Sequence, residues 1–376
     1  MGFDLARVPA FPWDSLEPLR RRAGAHPGGL IDLSVGSPVD PTPAPLQDAL
    51  RAGADAPGYP PTVGSAALRQ AIADHYAAQR GVAGLPAEGV IPTIGSKEAV
   101  ALLPSLLGLG PGDAVVHPEI AYPTYDVGAR LAGAAPVPAD SPERVPQDVA
   151  GRVKLVWLNS PANPTGEVLG VEQLRAWVDW ARPLGAVVAS DECYAALAWD
   201  EPWAAAGVPS LLDPRVSGGA WDGLLALYSI SKQSSAAGYR AAWLAGDPAL
   251  VKPIGELRKH IGLMATGPVQ AALAAALAAP GEVARARAAY GRRRRELLRG
   301  IVQAGYEVRG SGAGLYLWFT TPDRQDGWQT AADLAELGIL VAPGAFYGQA
   351  GRPFARLALT ATDAAAAEAA ARLAPA

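Results

Sequence analysis

From Gly89 onward, short apolar runs alternate with stretches of helical character, each run bounded by Gly, Pro or Asp. Ala114–His117, Leu155–Asn159, Ala186–Ala189 and Leu224–Tyr228 are such runs, and Val90–Ile94 precedes them. A strand that is apolar along its whole length is covered on both faces, and the intervening helices supply the cover. The pattern predicts parallel strands joined by crossover helices, an α/β sheet. In a sheet of that kind the ligand crevice opens beyond the carboxyl ends of the strands, so the residues following each run are where chemistry is expected.

The chain has 376 residues, 50% hydrophobic and 18% charged, which is enough to bury a large core and too apolar to stay disordered. Single cores stop growing near about 250–300 residues, which points to two domains. Lys and Arg total 32 against 36 Asp and Glu, so no basic field exists to hold a nucleic acid or an anionic membrane, and small molecules are the expected partners. The single cysteine, Cys193, excludes a disulfide framework. Together with only four histidines it argues against a Cys/His zinc site, so no metal is expected. A cytoplasmic location fits this cysteine usage. The N-terminus carries Asp4 and Glu17 and lacks the apolar core of a secretory signal. The longest apolar runs are cut by Pro104, Gly108, Gly110 and Pro111, short of the roughly 20 residues of a membrane span.

Pro9, Pro12 and Pro27 surround a short helical stretch at Leu16 and Leu19, which suggests an arm over residues 1–30, ordered by a partner. Pro280–Gly305 reads as one long amphipathic helix with Val283, Tyr290, Leu297 and Ile301 at helical spacing, bridging two domains. Gly314–Phe319, Ile339–Ala342 and Arg356–Leu359 then read as strands of a smaller α+β unit ending in an Ala-rich helix. The division expected is 1–44 for the arm and part of the small domain, 45–280 for the large domain, and 281–376 for the remainder of the small domain.

Four segments that follow apolar runs carry reactive side chains. Ser229-Ile230-Ser231-Lys232 ends one strand, with Gly238-Tyr239-Arg240 shortly after. A lysine seen alone is usually a solvated surface group. Flanked by hydroxyls and followed eight residues on by an arginine, a desolvated lysine has what an amine needs to react with a carbonyl beside a bound phosphate. Ser190-Asp191-Glu192-Cys193-Tyr194 ends a second strand. Asp191 could simply cap a helix. Placed at the base of a crevice, it could instead pair with a heterocyclic nitrogen and keep it protonated, with Tyr194 donating to an oxygen of the same ring. Asn159 to Gly166 follows a third strand and contains Asn163-Pro164-Thr165-Gly166, an ordinary turn signal by itself. Gly95-Ser96-Lys97 precedes the expected helix Glu98–Leu107, where free backbone donors suit a phosphate.

In this order the motifs resemble the class I/II pyridoxal-phosphate aminotransferases of the aspartate aminotransferase fold, and the resemblance runs along nearly the whole chain. It implies a large domain with a mostly parallel seven-stranded sheet between helices, plus a smaller α+β domain. It implies pyridoxal 5′-phosphate as cofactor, with Lys232 the lysine that binds it covalently. Asp191 would partner the pyridine nitrogen, and Asn163 and Tyr194 would donate to the phenolic oxygen. Gly95, Ser96, the Lys97 amide, Ser229, Ser231 and Arg240 would surround the phosphate, and Tyr122 would stack on the ring, although a core aromatic is the plainer reading of that residue. Arg356 would grip the substrate α-carboxylate, against the plainer reading of an exposed strand arginine. Gly36 would let substrate approach the backbone. Tyr59 would reach the phosphate of a neighbouring subunit, making the site a property of a homodimer.

Phe11-Pro12-Trp13, Asp32 to Gly36, Tyr122 to Gly128, Gly314 to Trp318 and Leu359 to Asp363 are similar to actinobacterial N-succinyldiaminopimelate aminotransferases. That likeness implies glutamate as amino donor and N-succinyl-2-amino-6-ketopimelate as acceptor, in diaminopimelate and lysine synthesis. Arg258 and Lys259 are candidates for reading the acceptor's carboxylates. Alternatives are an aromatic, prephenate or aspartate aminotransferase, a carbon–sulfur lyase sharing the cofactor, and a non-catalytic ligand sensor; intact Lys232 and Asp191 argue against the last. No Gly-x-Gly-x-x-Gly between a strand and a helix supports a nicotinamide enzyme. Arg292 to Arg295 reads as a solvated helix face, and Cys193 as a small buried residue beside the site. A cis bond is expected between Asn163 and Pro164.

Overall fold

The structure is a computed structural model that describes residues 8–374, so Asp4 and the start of the expected arm lie outside the described residues. Strand β1 (Ile31–Asp32) comes first. Seven strands then build one sheet: β2 (Val90–Ile94), β3 (Ala114–His117), β4 (Ala135–Pro138), β5 (Val153–Asn159), β6 (Val187–Asp191), β7 (Leu224–Ser229) and β8 (Ala241–Gly246). Their spatial order is β2-β8-β7-β6-β5-β3-β4, and β8 alone runs antiparallel to its neighbours. All five apolar runs are strands of this sheet. Two further strands escaped the reading. β4 carries Pro136 and Pro138, which it tolerates because it lies at the sheet edge, where half of its backbone donors have no ladder to join. β8 has the sequence Ala-Ala-Trp-Leu-Ala-Gly, whose alanines suit a helix as well as a strand.

Successive residues along each strand feed two cores. Val156 and Leu158 pack on one face with the helices Ala66–Gln79, Val171–Ala181 and Gly267–Leu277. Leu155 and Trp157 pack on the other with Ser96–Leu106, Thr124–Ala132 and Pro248–His260. Covering both faces is what makes the strands apolar throughout.

A third core belongs to β9 (Glu307–Val308), β10 (Tyr316–Thr320), β11 (Ile339–Leu340), β12 (Ala342–Pro343) and β13 (Ala355–Ala358). The order β12-β13-β10-β9 is antiparallel, whereas β11 pairs in parallel with β1. The expected strand Ile339–Ala342 is therefore two strands in two sheets, divided at Val341. Leu16 and Leu19, 1% and 8% exposed, join this core. The described part of the arm is thus packed on its own chain, where its leucines complete a core that the short strands could not close.

The long helix spans Pro280–Gln303 and packs against the terminal helix Asp363–Leu373. Its arginine run is not a uniformly solvated face. Arg293 is 4% exposed and bonds the Asp40 carboxylate at 2.6 and 2.7 Å and Asp363 at 2.7 Å. Arg294 reaches Asp200 at 3.0 Å. Consecutive residues on a helix point about 100° apart, so one member of a four-residue run must face inward. Among the described residues, no helix is long and apolar enough to cross a membrane.

Candidate active site

Adjacent carboxyl ends of β5, β6 and β7 meet at one place. The register pairs Asn159 with Asp191 and Asp191 with Leu227, which brings the turns after these strands together. They open on a cavity of about 390 Å³. Gly36, Ser96, Lys97, Tyr122, Asn163, Asp191, Tyr194, Ser229, Ser231, Lys232, Arg240 and Arg356 all line it. Gly95 is not among the lining residues but directly precedes Ser96, which is. Tyr59 stands apart, with its side chain 98% exposed in the protomer.

At one end of the cavity the helix Ser96–Leu106 begins, two residues earlier than expected, with Gly95 at φ +73° as its N-cap. The pairing of Ile94 with Ala241 sets Gly95 beside Arg240, and a Cβ on Gly95 would lie 2.1 Å from a guanidinium nitrogen. Both the positive φ and that close approach demand glycine. Ser229 lies across from this helix start. Its hydroxyl donates to Ser231 Oγ at 2.7 Å and accepts from the Ser231 amide at 3.0 Å. Helix-start amides, two hydroxyls and a guanidinium converge there, a donor set made for a phosphate.

Asp191 sits at the cavity floor, 7% exposed. It accepts from the Tyr125 hydroxyl at 3.1 Å and the Cys193 amide at 3.1 Å, and no Lys or Arg pairs with it among the described residues. Burial raises its pKa against the pull of those hydrogen bonds. A buried carboxylate with no cation calls for a cationic partner from a ligand. Asn159 holds the same turn, donating to the Asp191 carbonyl at 2.9 Å and accepting from the Asn163 amide at 2.7 Å. The Asn163–Pro164 bond is cis, as expected.

Lys232 follows β7 on a single helical turn, Ile230–Gln233, and its Nζ donates to the Gly36 carbonyl. Burial lowers its pKa, Tyr316 opposes this, and Arg356 and Arg240 reinforce it. The Tyr194 hydroxyl lies 3.1 Å from that of Tyr316, and burial pushes the Tyr194 phenol up. Cys193 is buried beside the floor with its thiol pushed up by burial, so it is an inert neighbour, not a nucleophile.

Arg356, on β13, is 2% exposed, which overturns the plain reading of a surface arginine. It donates to Asn163 Oδ1 at 2.9 Å and to the Ser34 carbonyl at 2.6 Å. Its guanidinium carbon lies 4.0 Å from the Tyr316 ring centre, 5.0 Å from Tyr347 and 5.7 Å from Trp13. Every one of these neighbours is neutral, and its Nε is buried without a partner. Arg258 and Lys259, in contrast, do not reach the cavity. Arg258 is fully buried in a bidentate pair with Glu98, and Lys259 points to Glu256 at 3.8 Å. The helix Pro248–His260 turns the first inward to a neighbouring helix and the second to solvent.

Tyr125, Tyr316, Trp13 and Phe11 line the cavity without having been assigned roles from sequence. Tyr125 ends the segment Tyr122-Pro123-Thr124-Tyr125, and one helical turn after Tyr122 is a spacing that could have flagged it. Tyr316 enters a strand from Gly314, and only its tertiary placement shows that a Cβ on Gly36 would fall 2.2 Å from its hydroxyl.

The cavity collects four cationic side chains, Lys97, Lys232, Arg240 and Arg356, against one carboxylate, Asp191. A cationic heterocycle would offset Asp191, and a doubly charged phosphate with one ligand carboxylate at Arg356 would supply three negative charges against the four positive ones, leaving one cation over. The residues present fit pyridoxal 5′-phosphate and an amino acid.

The family model for class I and II aminotransferases matches residues 29–373. The 4-dedimethylamino-4-oxo-anhydrotetracycline transaminase OxyQ of Streptomyces rimosus is 51% identical over 98% of this chain and 100% of its own length. A probable aminotransferase of Mycobacterium tuberculosis is 51% identical over 95% of this chain and 83% of its own. The LL-diaminopimelate aminotransferase of Aquifex aeolicus is 33% identical over 88% and 87%. Among solved structures, aspartate aminotransferase from Thermus thermophilus with maleate superimposes with a TM-score of 0.86 at 26% identity, covering 100% of this chain and 99% of that one. A probable N-succinyldiaminopimelate aminotransferase from the same organism gives 0.84 at 28%, covering 96% and 99%. The chain belongs to the class I and II aminotransferases. It is a pyridoxal-phosphate-dependent enzyme with the aspartate aminotransferase fold, acting on small amino and keto acids.

Proposed function

We propose that this aminotransferase carries an amino group from glutamate to N-succinyl-2-amino-6-ketopimelate, by the roles that follow. The observation behind it is the cation surplus of the cavity: after a phosphate and an α-carboxylate are matched, Lys97 still lacks a carboxylate, held between the rings of Phe11 at 5.1 Å and Tyr122 at 5.9 Å. An acceptor with several carboxylates supplies it.

Pyridoxal 5′-phosphate, when bound, supplies an aldehyde for the amino group and a protonated ring that accommodates the electron pair left at the α-carbon. Asp191 would hold the proton on the ring nitrogen, and Asn163 and Tyr194 would donate to the ring oxygen. Gly95, Ser96, the Lys97 amide, Ser229, Ser231 and Arg240 would hold the phosphate, while Tyr122 would cover one ring face. Arg356 orients substrate by its α-carboxylate, and Gly36 lets substrate pass close to the backbone. Lys232 would hold the cofactor covalently and, as a free amine, would take the substrate α-proton as a base and give it back as an acid. The donor and the acceptor use one site in turn, in ping-pong order.

Purified enzyme given glutamate and a panel of acceptors tests the substrate. N-succinyl-2-amino-6-ketopimelate is expected to give a kcat/KM at least about tenfold above oxaloacetate, prephenate and aromatic keto acids. A better rate with any of those overturns the assignment, and pyruvate from cystathionine without an acceptor identifies a lyase. A second reading, amination of the polycyclic ketone named for the Streptomyces rimosus relative, is favoured by identity over 98% of the chain. That ketone therefore belongs in the same panel.

The exposed Tyr59 supports a homodimer in which each chain contributes this hydroxyl to its partner's phosphate site. Tyr59→Phe is expected to weaken cofactor binding about tenfold, and dilution of the wild type to monomer to abolish turnover. A fully active monomer sinks the shared site.

A further inference from the structure

Behind the cavity, one guanidinium bonds the residue that follows Asp191 and lies over the ring of Tyr228, whose hydroxyl bonds the residue that follows Lys232. Glu192 follows Asp191 directly and is completely buried. It accepts from Arg80 at 2.7 Å, from the Leu211 amide at 2.7 Å and from the Ser210 hydroxyl at 3.1 Å. Arg80 also donates to the Val208 carbonyl at 3.0 Å and lies 5.7 Å from the centre of the Tyr228 ring. The Tyr228 hydroxyl donates at 2.8 Å to Gln233, the residue after Lys232. Arg80, Tyr228 and Gln233 line a separate cavity of about 310 Å³, so this network lies on the far side of the segments that carry Asp191 and Lys232.

Resting on the roles given above for Asp191 and Lys232, we propose that Arg80 is a positioning residue. It fixes Asp191 through Glu192 and Lys232 through Tyr228 and Gln233, and so sets the distance between ring nitrogen partner and reactive amine. Stability alone does not account for it. A buried ion pair is often no more stabilising than an apolar pair of the same volume, because desolvation offsets the attraction. What a planar, multiply bonded guanidinium provides is direction. Asp191 needs that, since its own side chain is held by the Tyr125 hydroxyl and by Cys193, with no cation beside it among the described residues. Displacements of about 1 Å in a reacting geometry reduce turnover by up to roughly 10²-fold.

The double variant R80M/E192Q removes both charges together, and the amide that replaces the Glu192 carboxylate still accepts from Leu211 and Ser210. Unfolding temperature, cofactor affinity and visible absorbance after adding pyridoxal 5′-phosphate, and kcat and KM for glutamate are measured beside wild type and Lys232→Ala. The expected result is cooperative unfolding near the wild-type temperature, altered absorbance of the bound cofactor, and kcat lower by about tenfold or more with KM little changed. Wild-type absorbance and kcat overturn the inference. Should the double variant unfold at a much lower temperature, Tyr228→Phe decides: it keeps the ring over Arg80 and loses only the hydroxyl to Gln233. A kcat about threefold lower at unchanged unfolding temperature supports the network, and wild-type kcat overturns it. Failure of the wild type to show Lys232-dependent cofactor absorbance would instead refute the roles assigned to Lys232 and Asp191.

Discussion

Lys232→Ala is expected to lose transamination to below detection, with 2-oxoglutarate formation from glutamate as the measurement. Proton transfer by a positioned group contributes about 10²–10⁴-fold, and in the proposed mechanism the same amine also holds the cofactor. The structure explains why this lysine, not Lys97 at the cavity mouth, is suited to both tasks. It sits on the turn after β7 and lines the cavity, and its Nζ is aimed at the Gly36 carbonyl. Burial makes its ammonium form unfavourable, and Arg356 and Arg240 act in the same direction while Tyr316 opposes. The amine therefore sheds its proton at a lower pH than a solvated lysine does, and a free amine is what attacks a carbonyl. Reduction with borohydride in the presence of pyridoxal 5′-phosphate should fix the cofactor to the peptide carrying Lys232 in the wild type and to no peptide in the variant. A label on Lys97, or undiminished turnover in Lys232→Ala, would remove Lys232 from its role.

Much of this site was legible because the sheet imposes it. Once the apolar runs are parallel strands, the residues after them share one edge, and Asn163, Asp191 and Lys232 must face one crevice whatever else the chain does. Local chemistry identified Gly95 and Ser96 for the same reason. What stayed hidden depends on contacts distant in sequence. The inward turn of Arg293 to Asp40 spans 253 positions, and nothing in a four-arginine run marks which member is buried. Ile339–Ala342 is apolar throughout, so its change of partner at Val341 leaves no trace in the pattern. Leu16 and Leu19 looked like an arm because their prolines break regular structure, yet they close a core. Tyr125 and Tyr316 drew no assignment from sequence; their hydroxyls acquire meaning only beside Asp191 and Tyr194.

For Arg356→Lys the expected loss is about 2–5 kcal/mol of interaction with substrate, roughly 30- to 4000-fold in kcat/KM for glutamate. Charge is conserved in this variant, so any loss reports the fork geometry. The guanidinium is held edge-on by Asn163 and the Ser34 carbonyl and flanked by Tyr316, Tyr347 and Trp13, which leave it one orientation. An ammonium on a flexible stem cannot make two parallel bonds to a carboxylate from that position, and it forfeits stacking on Tyr316. Most of the loss should appear in KM, because the α-carboxylate is present in both the bound substrate and the transition state. Cofactor affinity should change little, since the residues proposed to hold the phosphate do not include Arg356 or its hydrogen-bond partners. An amine lacking the α-carboxylate supplies the contrast: its already slow reaction should be nearly indifferent to the substitution. If glutamate kept its wild-type KM in Arg356→Lys, or the amine suffered as much as glutamate, the neutral surroundings of Arg356 would need another explanation than a carboxylate awaited from substrate.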